Sequence, residues 1–394
     1  MTSGRARRSG EHAYVRGVGN TRYTKKADRT VEELAAHAIS AAAEDAGIQV
    51  GEIDGIIVYH GHIGTDEVIS HMGLPDVGLR AIIDIGGASA VSALQMASLY
   101  VLGGAAENVL LIRAMKGSSG GRRKAERKSH LPSQHIRRNL EYVVGCNTPS
   151  QRYAFLCRRY MHEYDLTRAH LAEIALAARA HANLNPDAQM YGRPLDLETY
   201  LSGRVIAEPY LLYDCCLETD GACAVIVSAQ PGREREGRPA VAILGTAEGH
   251  ADPPDDFLSR DPFLAVGLEK AARRLWDSIG LAPEDMDAAM VYDCFTFEVA
   301  HQLEAAGFAT PDTIGRLIAE DGIRLGGRLP VNTHGGLLSE GHMVGLNHVV
   351  EAARQLRHTC GARQVDGARH IAVTGWGNLG DGSISVLGRQ SGSS

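Results

Sequence analysis

From residue 29 to 47 the chain reads RTVEELAAHAISAAAEDAG, with apolar residues returning every three or four positions. That period predicts an α-helix. Thr30, with Glu33 three residues on, forms a capping box at its start, and Gly47 supplies a stop. The next apolar run, GIIVY at 55–59, is β-branched and unbroken by polar residues. It predicts a short strand covered on both faces and ending at Tyr59.

The same order of signals recurs in EKAARRLWDSIGLAPEDMDAAMVYDCF, residues 269–295. Gly47 to Asp54 and Gly280 to Asp287 both span seven positions, and each Asp is followed four and five residues later by Val and Tyr. Further on, a glycine turn, a helix pattern and a strand pattern occupy 86–114, and the same order fills 335–377. This predicts an internal duplication of an α/β unit. The halves are 1–235 and 236–394, meeting at the Gly/Pro/Arg/Glu stretch 230–239. A largely helical insertion in the first half, about 116–210, includes DLTRAHLAEIALAARAHANLN at 165–185. Alternating helices and strands predict parallel sheets with helices on both faces and chemistry gathered beyond the strand ends. Tyr292, Asp293 and Cys294 stand at such an end. The plainer alternative is a set of satisfied strand-end side chains.

With 394 residues the chain is long enough for two domains or two fused halves of one fold. No apolar run approaches the roughly 18 residues of a membrane span, and the basic start MTSGRARRSG is followed by no apolar segment of a secretory signal. A cytoplasmic protein is expected. A net charge of -7 argues against a general nucleic-acid surface. KGSSGGRRKAERK at 116–128 is the local exception: a solvated loop, or a contact for ligand phosphates through Arg122, Arg123 and Lys124. Seven cysteines with no C-x-x-C pair point to a reducing compartment, and DCC at 214–216 reads as a packed strand end.

Two segments carry a family resemblance. HGGLLSEGHMVGLNHVVEA at 334–352 and DCCLETDGACAVIV at 214–227 are similar to the C-terminal Gly-Gly…Gly-His pattern and the Asp-Gly-Ala strand of the thiolase superfamily. With YDCF, they resemble the sterol-carrier-protein-x branch over nearly the whole chain. The resemblance implies a duplicated, five-layer αβαβα fold. It also sets out what is missing. Where these proteins carry the nucleophile in Cys-Ala-Ser-Gly, this chain has Gly87-Ala88-Ser89-Ala90, and the C-terminal glycine loop TGWGNLGDG (374–382) has no cysteine. Ser89 without a neighbouring base is a poor substitute. His342 matches the family histidine that holds the thioester oxygen, and Tyr292 stands where Asn or His is usual. A lost cysteine with tyrosine at that strand end resembles the side-chain-cleaving aldolases of bacterial steroid catabolism, some of which carry a second tyrosine at the place of His342.

Retro-aldol cleavage of a β-hydroxyacyl-CoA needs proton transfer and enolate stabilisation but no nucleophile. The expected roles are Tyr292 as acid/base on the hydroxyl, its pKa lowered by neighbours, and His342 as donor to the thioester or proton carrier, with Asp293 as orienter or simply paired with an arginine. Gly87, Ser89, His60, Gly335, Gly336, Cys294 and Asn378 are expected around the substrate, Gly335 and Gly336 for close backbone approach. His60 and His62 are too few for a metal site, and Cys294 is structural or a fallback nucleophile. Residues 137–161 resemble the family's substrate-loop region. No cofactor is expected beyond the coenzyme A thioester itself. The resemblance further implies a homodimer and a small OB-fold, zinc-ribbon partner. Two alternatives stay open: a carbon–carbon bond-forming acyltransferase using a thiol, and a non-catalytic acyl-CoA or lipid-binding subunit.

Overall fold

The computed structural model describes residues 12–59, 61–120, 137–232, 238–253, 258–320, 322–378 and 380–390. His60, Arg122, Arg123 and Lys124 therefore lie outside the described residues.

The first half begins with β1 (Ala13–Asn20), α1 (Val31–Ala46), β2 (Gly55–Tyr59), α2 (Thr65–Met72), β3 (Leu79–Ile83), α3 (Ser89–Leu102) and β4 (Asn108–Lys116). Helices α4 (Pro149–Glu163), α5 (Arg168–Ala182) and α6 (Leu197–Leu201) follow, then a small hairpin of β5 (Val205–Ala207) and β6 (Tyr210–Leu211), then β7 (Asp220–Ser228). Next come β8 (Ala240–Gly249), α7 (Gly267–Ile279), β9 (Ala288–Met290), α8 (Thr296–Ala305), α9 (Ile314–Ala319), α10 (Gly336–Ser339), α11 (Leu346–Leu356), β10 (His370–Gly377) and β11 (Asp381–Gln390).

The predicted helix ends are formed as the sequence signals them. Thr30 Oγ1 accepts from the Glu33 amide at 3.2 Å, and Glu33 Oε2 accepts from the Thr30 amide at 2.7 Å. Gly47 and Gly280 close α1 and α7 in the left-handed region, each with φ 67°. The repeated aspartates also have a shared physical role. Asp54 accepts from the amides of Glu107 and Asn108 at 2.9 and 2.8 Å, tying the entry of β2 to that of β4. Asp287 does the same for β9 and β10, accepting from Arg369 and His370 at 2.7 and 2.9 Å.

Nine strands form one sheet in the order β3-β2-β4-β7-β1-β8-β11-β10-β9. The two halves meet where β1 pairs with β8 at Ala13↔Ile243 and Tyr14↔Ala242. On either side of that seam the order repeats: β8, β11, β10 and β9 answer β1, β7, β4 and β2. The counterpart of β3 is reduced to a single parallel bridge, Ala289↔Val331. The sheet is mixed rather than parallel throughout, because β7 and β11 enter against β4 and β10. Helices α1 and α7 cover the outer faces of the two halves, while α3 and α11 pack between them. The layers thus run α, β, α, β, α.

Candidate active site

The site forms where β9 ends and the two central helices begin. Val291, just past β9, has no neighbouring strand for its amide groups, and the Asn332 side chain replaces one. Its Oδ1 accepts from Val291 N at 2.7 Å and its Nδ2 donates to Val291 O at 2.8 Å. Gln302 Nε2 donates to the Tyr292 carbonyl at 2.6 Å, and Thr374 Oγ1 donates to Gln302 Oε1 at 2.9 Å. The backbone that presents Tyr292 is therefore held from three elements.

Tyr292 is buried, with 5% of its surface exposed. Its ring lies between two glycines at the starts of the central helices. A Cβ on Gly87, ahead of α3, would stand 2.2 Å from Tyr292 Cζ and 2.2 Å from the Trp376 carbonyl oxygen. A Cβ on Gly345, the residue before α11, would stand 3.4 Å from Tyr292 Cδ2. The space of a side chain at position 87 is thus already filled. Burial is the main cause pushing the Tyr292 phenol well above its ordinary value, with Cys294, Glu298 and Cys216 adding to it. This corrects the expectation of a lowered pKa: burial keeps the Tyr292 phenol protonated at neutral pH.

Asp293 is fully buried. Its carboxylate accepts from the amides of Leu337 and Leu338 at 2.8 and 3.3 Å, at the start of α10. A Cβ on Gly336 would stand 2.0 Å from its Oδ2, so this carboxylate is what requires the glycine. Gly335, with φ 107°, is required by α5 instead, its Cβ position falling 2.7 Å from that of Ala182. Both glycines serve internal packing, where close approach of a thioester was expected. Asp293 also stands 3.3 Å from His348 Nε2, and His348 Nδ1 lies 2.9 Å from His334 Nε2. His334 Nε2 is in turn 3.6 Å from Glu340 Oε2, and Asn185 and Asn347 donate to the two Glu340 oxygens at 2.9 and 2.8 Å. His334 is held neutral by burial and by the adjoining His348, while burial raises Glu340 to about 8. One proton arrangement serves this line: His334 Nε2–H donates to His348 Nδ1, and His348 Nε2–H faces Asp293. The Asp293 carboxylate ties the chain just past β9 to the turn that leads to His342.

His342 is half-buried, and its amide donates to Thr219 Oγ1 at 3.0 Å. The left-handed Val344, φ 51°, and Gly345, φ 86°, bend the chain from His342 into α11. Ser89 is fully buried and its Oγ accepts from the Ile85 amide at 3.0 Å, which assigns it to the glycine turn. Asn378 is half-buried with φ 46°, its amide nitrogen 3.1 Å from where a Gly86 Cβ would stand. Its side-chain Nδ2 donates to Asp381 Oδ2 at 3.1 Å. His62 Nδ1 accepts from the Lys116 amide at 3.2 Å. Cys294 donates through Sγ to Glu298 Oε2 at 2.8 Å, and burial, followed by Glu298, raises its pKa well above the ordinary thiol value. Glu298 itself is raised by burial to about 8. Burial likewise raises Cys157, Cys216, Cys223 and Cys360, and Cys215 to about 12, so none of these is a ready thiolate.

The line through His348, His334 and Glu340, the Asn332 clamp and Gln302 were not found from sequence. Their signal is polar residues in apolar phase: His348, Glu351 and Gln355 recur at three- and four-residue spacing on α11, and all three are buried.

Residues 14–200 match the family model of the thiolase N-terminal domain, and residues 254–389 that of the thiolase C-terminal domain-like family. A 17-hydroxy-3-oxo-4-pregnene-20-carboxyl-CoA lyase of Mycobacterium tuberculosis is 35% identical over 93% of this chain and 96% of its own. The chain belongs to the thiolase superfamily. Among this superfamily's members, a steroid side-chain-cleaving aldolase of Thermomonospora curvata is 34% identical over 93% of this chain and 95% of its own. The solved Ltp2-ChsH2(DUF35) aldolase superposes with a TM-score of 0.88 at 32% identity, covering 96% of this chain and 98% of that one. In this thiolase-superfamily chain position 87, at the start of α3, has no room for any side chain.

Proposed function

We propose that this protein is an acyl-CoA aldolase, a carbon–carbon lyase that cleaves a β-hydroxyacyl-CoA with a bulky, steroid-type acyl group into a ketone and a shortened acyl-CoA. The observation that carries the reading is the Tyr292 ring standing against Gly87. A proton donor occupies the place from which a nucleophile would act, so the chemistry is cleavage by proton movement.

The raised pKa divides the labour. His342 takes the proton of the β-hydroxyl, the carbon–carbon bond breaks, and the electrons pass into the thioester as an enolate. Tyr292, still protonated, donates to that enolate. The phenolate is then reprotonated from His342, which leaves both groups as they began and the substrate split without gain or loss of atoms. The N-termini of α3 and α11 on either side of the ring favour the negative charge that passes through it. No cofactor is needed beyond the coenzyme A carried by the substrate.

The Ltp2-ChsH2(DUF35) aldolase supports a partner subunit for this chain as well, here a small OB-fold, zinc-ribbon protein. A homodimer is supported by β3, an edge strand of the nine-stranded sheet whose Ile82 is 72% exposed. All seven cysteines are free, in keeping with a cytoplasmic setting. Among the described residues no helix is long and apolar enough to cross a membrane.

Product analysis tests the reading. Incubation with a steroid β-hydroxyacyl-CoA, with and without the partner, should release the ketone and the shortened CoA ester. A stable acyl adduct on any cysteine would instead establish the acyltransferase alternative, and no product under either condition the binding-subunit alternative.

A further inference from the structure

Arg113 lies on β4 with 2% of its surface exposed. Its Nη1 donates to the Tyr59 carbonyl at 3.1 Å, its Nη2 touches the Met115 sulfur at 3.0 Å, a weak acceptor, and its Nε has no hydrogen-bond partner. Among the described residues no carboxylate forms an ion pair with it. Arg363, also buried, is locked to Glu351 at 3.0 Å, which is the usual condition of an enclosed guanidinium. A buried cation without a counter-charge is a liability to the fold, and its presence asks for an anion.

The direction of the side chain says where. Val109 and Leu111, in phase with Arg113 along β4, belong to the core shared with α3 and Tyr292, while Leu110, Ile112 and Ala114 face α1. The ionisable groups bearing on the guanidinium are Tyr59 of β2, Cys223 opposite it on β7, Tyr292 from the second half, and the exposed Asp84 after β3. Three of these are ordinarily neutral, and of the three only Tyr292 loses its proton in the proposed reaction.

We propose that Arg113 is the counter-charge for the Tyr292 phenolate, a positioning residue that acts on the reaction through Tyr292. The inference rests on the retro-aldol reading above. Once Tyr292 has given its proton to the enolate, the negative charge left on its oxygen bears on Arg113, a buried guanidinium that no carboxylate pairs among the described residues and that stays charged.

The test reads the phenol directly. Tyr292 is replaced by difluorotyrosine, whose phenol titrates lower, and its ionisation is followed by fluorine NMR in the otherwise wild-type chain and in Arg113→Met and Arg113→Lys backgrounds. Loss of the charge should raise the midpoint by about one unit or more, and Lys should hold it close to wild type. Arg113→Met should also fold with unchanged or higher melting temperature, since an unpaired buried charge is replaced by an apolar chain of similar length. Should it not fold, Arg113→Gln takes its place in the titration. In turnover, Arg113→Met should lose about 100-fold in kcat with little change in KM, and Lys should recover most of that loss. A midpoint equal in all backgrounds overturns the proposal. A wild-type protein that cleaves no β-hydroxyacyl-CoA, in which the midpoint still moves, would sink the aldolase reading and leave the counter-charge standing.

Discussion

A side chain at Gly87 and the ring of Tyr292 exclude one another, since a Cβ at position 87 would fall 2.2 Å from Tyr292 Cζ. The Trp376 carbonyl oxygen closes the same space from β10, at 2.2 Å. Gly87→Ala is therefore expected to cost about 1–3 kcal/mol as overpacking, together with most of the activity. Adding Tyr292→Ala should restore only part of the stability, because the carbonyl stays. Thermal denaturation of the two variants checks this; full recovery would show that the strand end is softer than the geometry states.

Tyr292→Phe deletes one oxygen and keeps the ring against Gly87. The fold should be unaffected, and kcat for the cleavage should fall about 100- to 10,000-fold with KM nearly constant, the range ordinary for loss of a general acid. Equal rates would remove Tyr292 from the mechanism.

Asp293 is the buried end of the line through His348 and His334. Asp293→Ala strips the acceptor from the Leu337 and Leu338 amides and from His348, and should cost about 3–5 kcal/mol, measured by urea unfolding. His348→Phe leaves those amide bonds in place and should cost less stability while lowering kcat, because the turn toward His342 loses its register. A His348→Phe enzyme with wild-type kcat would reduce the line to a packing feature.

Glu298 and Glu340 are both raised by burial to about 8. Their folded-state values lie above the unfolded value, so the folded chain holds more protons than the unfolded one between the two. Their contribution is fully present below about pH 4.5 and is lost as pH rises toward and through about 8, by at most about 1.4 kcal/mol per pH unit for each carboxyl. Unfolding midpoints should fall from about pH 5 to about pH 8, and Glu298→Gln and Glu340→Gln should each flatten that slope. An unchanged slope in both would show that these carboxyls are already ionised in the folded protein.

The duplication was legible because it is written in local signals: the capping box at Thr30, the glycine stops at 47 and 280, and the aspartates at 54 and 287 that turn out to tie strand entries together. Tyr292 was legible for a similar reason, as it follows a run of apolar residues that can only be a buried strand. What escaped depends on partners far apart in the chain. Arg113 reads as one polar residue in NVLLIRAMK, and nothing local shows that it lacks a carboxylate. The sign of the Tyr292 pKa was misjudged because burial, the dominant cause, is a property of the assembled layers. The mixed sheet was missed because β7 returns after a long insertion, whose exit direction no local signal sets.

Tyr59 and Tyr292 occupy the same position of the repeated unit, Tyr59 as the last residue of β2 and Tyr292 just past β9, and both are buried in the same core. Tyr59 reaches 1% exposure and its hydroxyl has no hydrogen-bond partner. The molecule therefore carries an internal control: removing the hydroxyl at 59 and at 292 is the same chemical deletion at mirrored addresses, and any difference between the two enzymes measures what the site adds to a tyrosine beyond its burial.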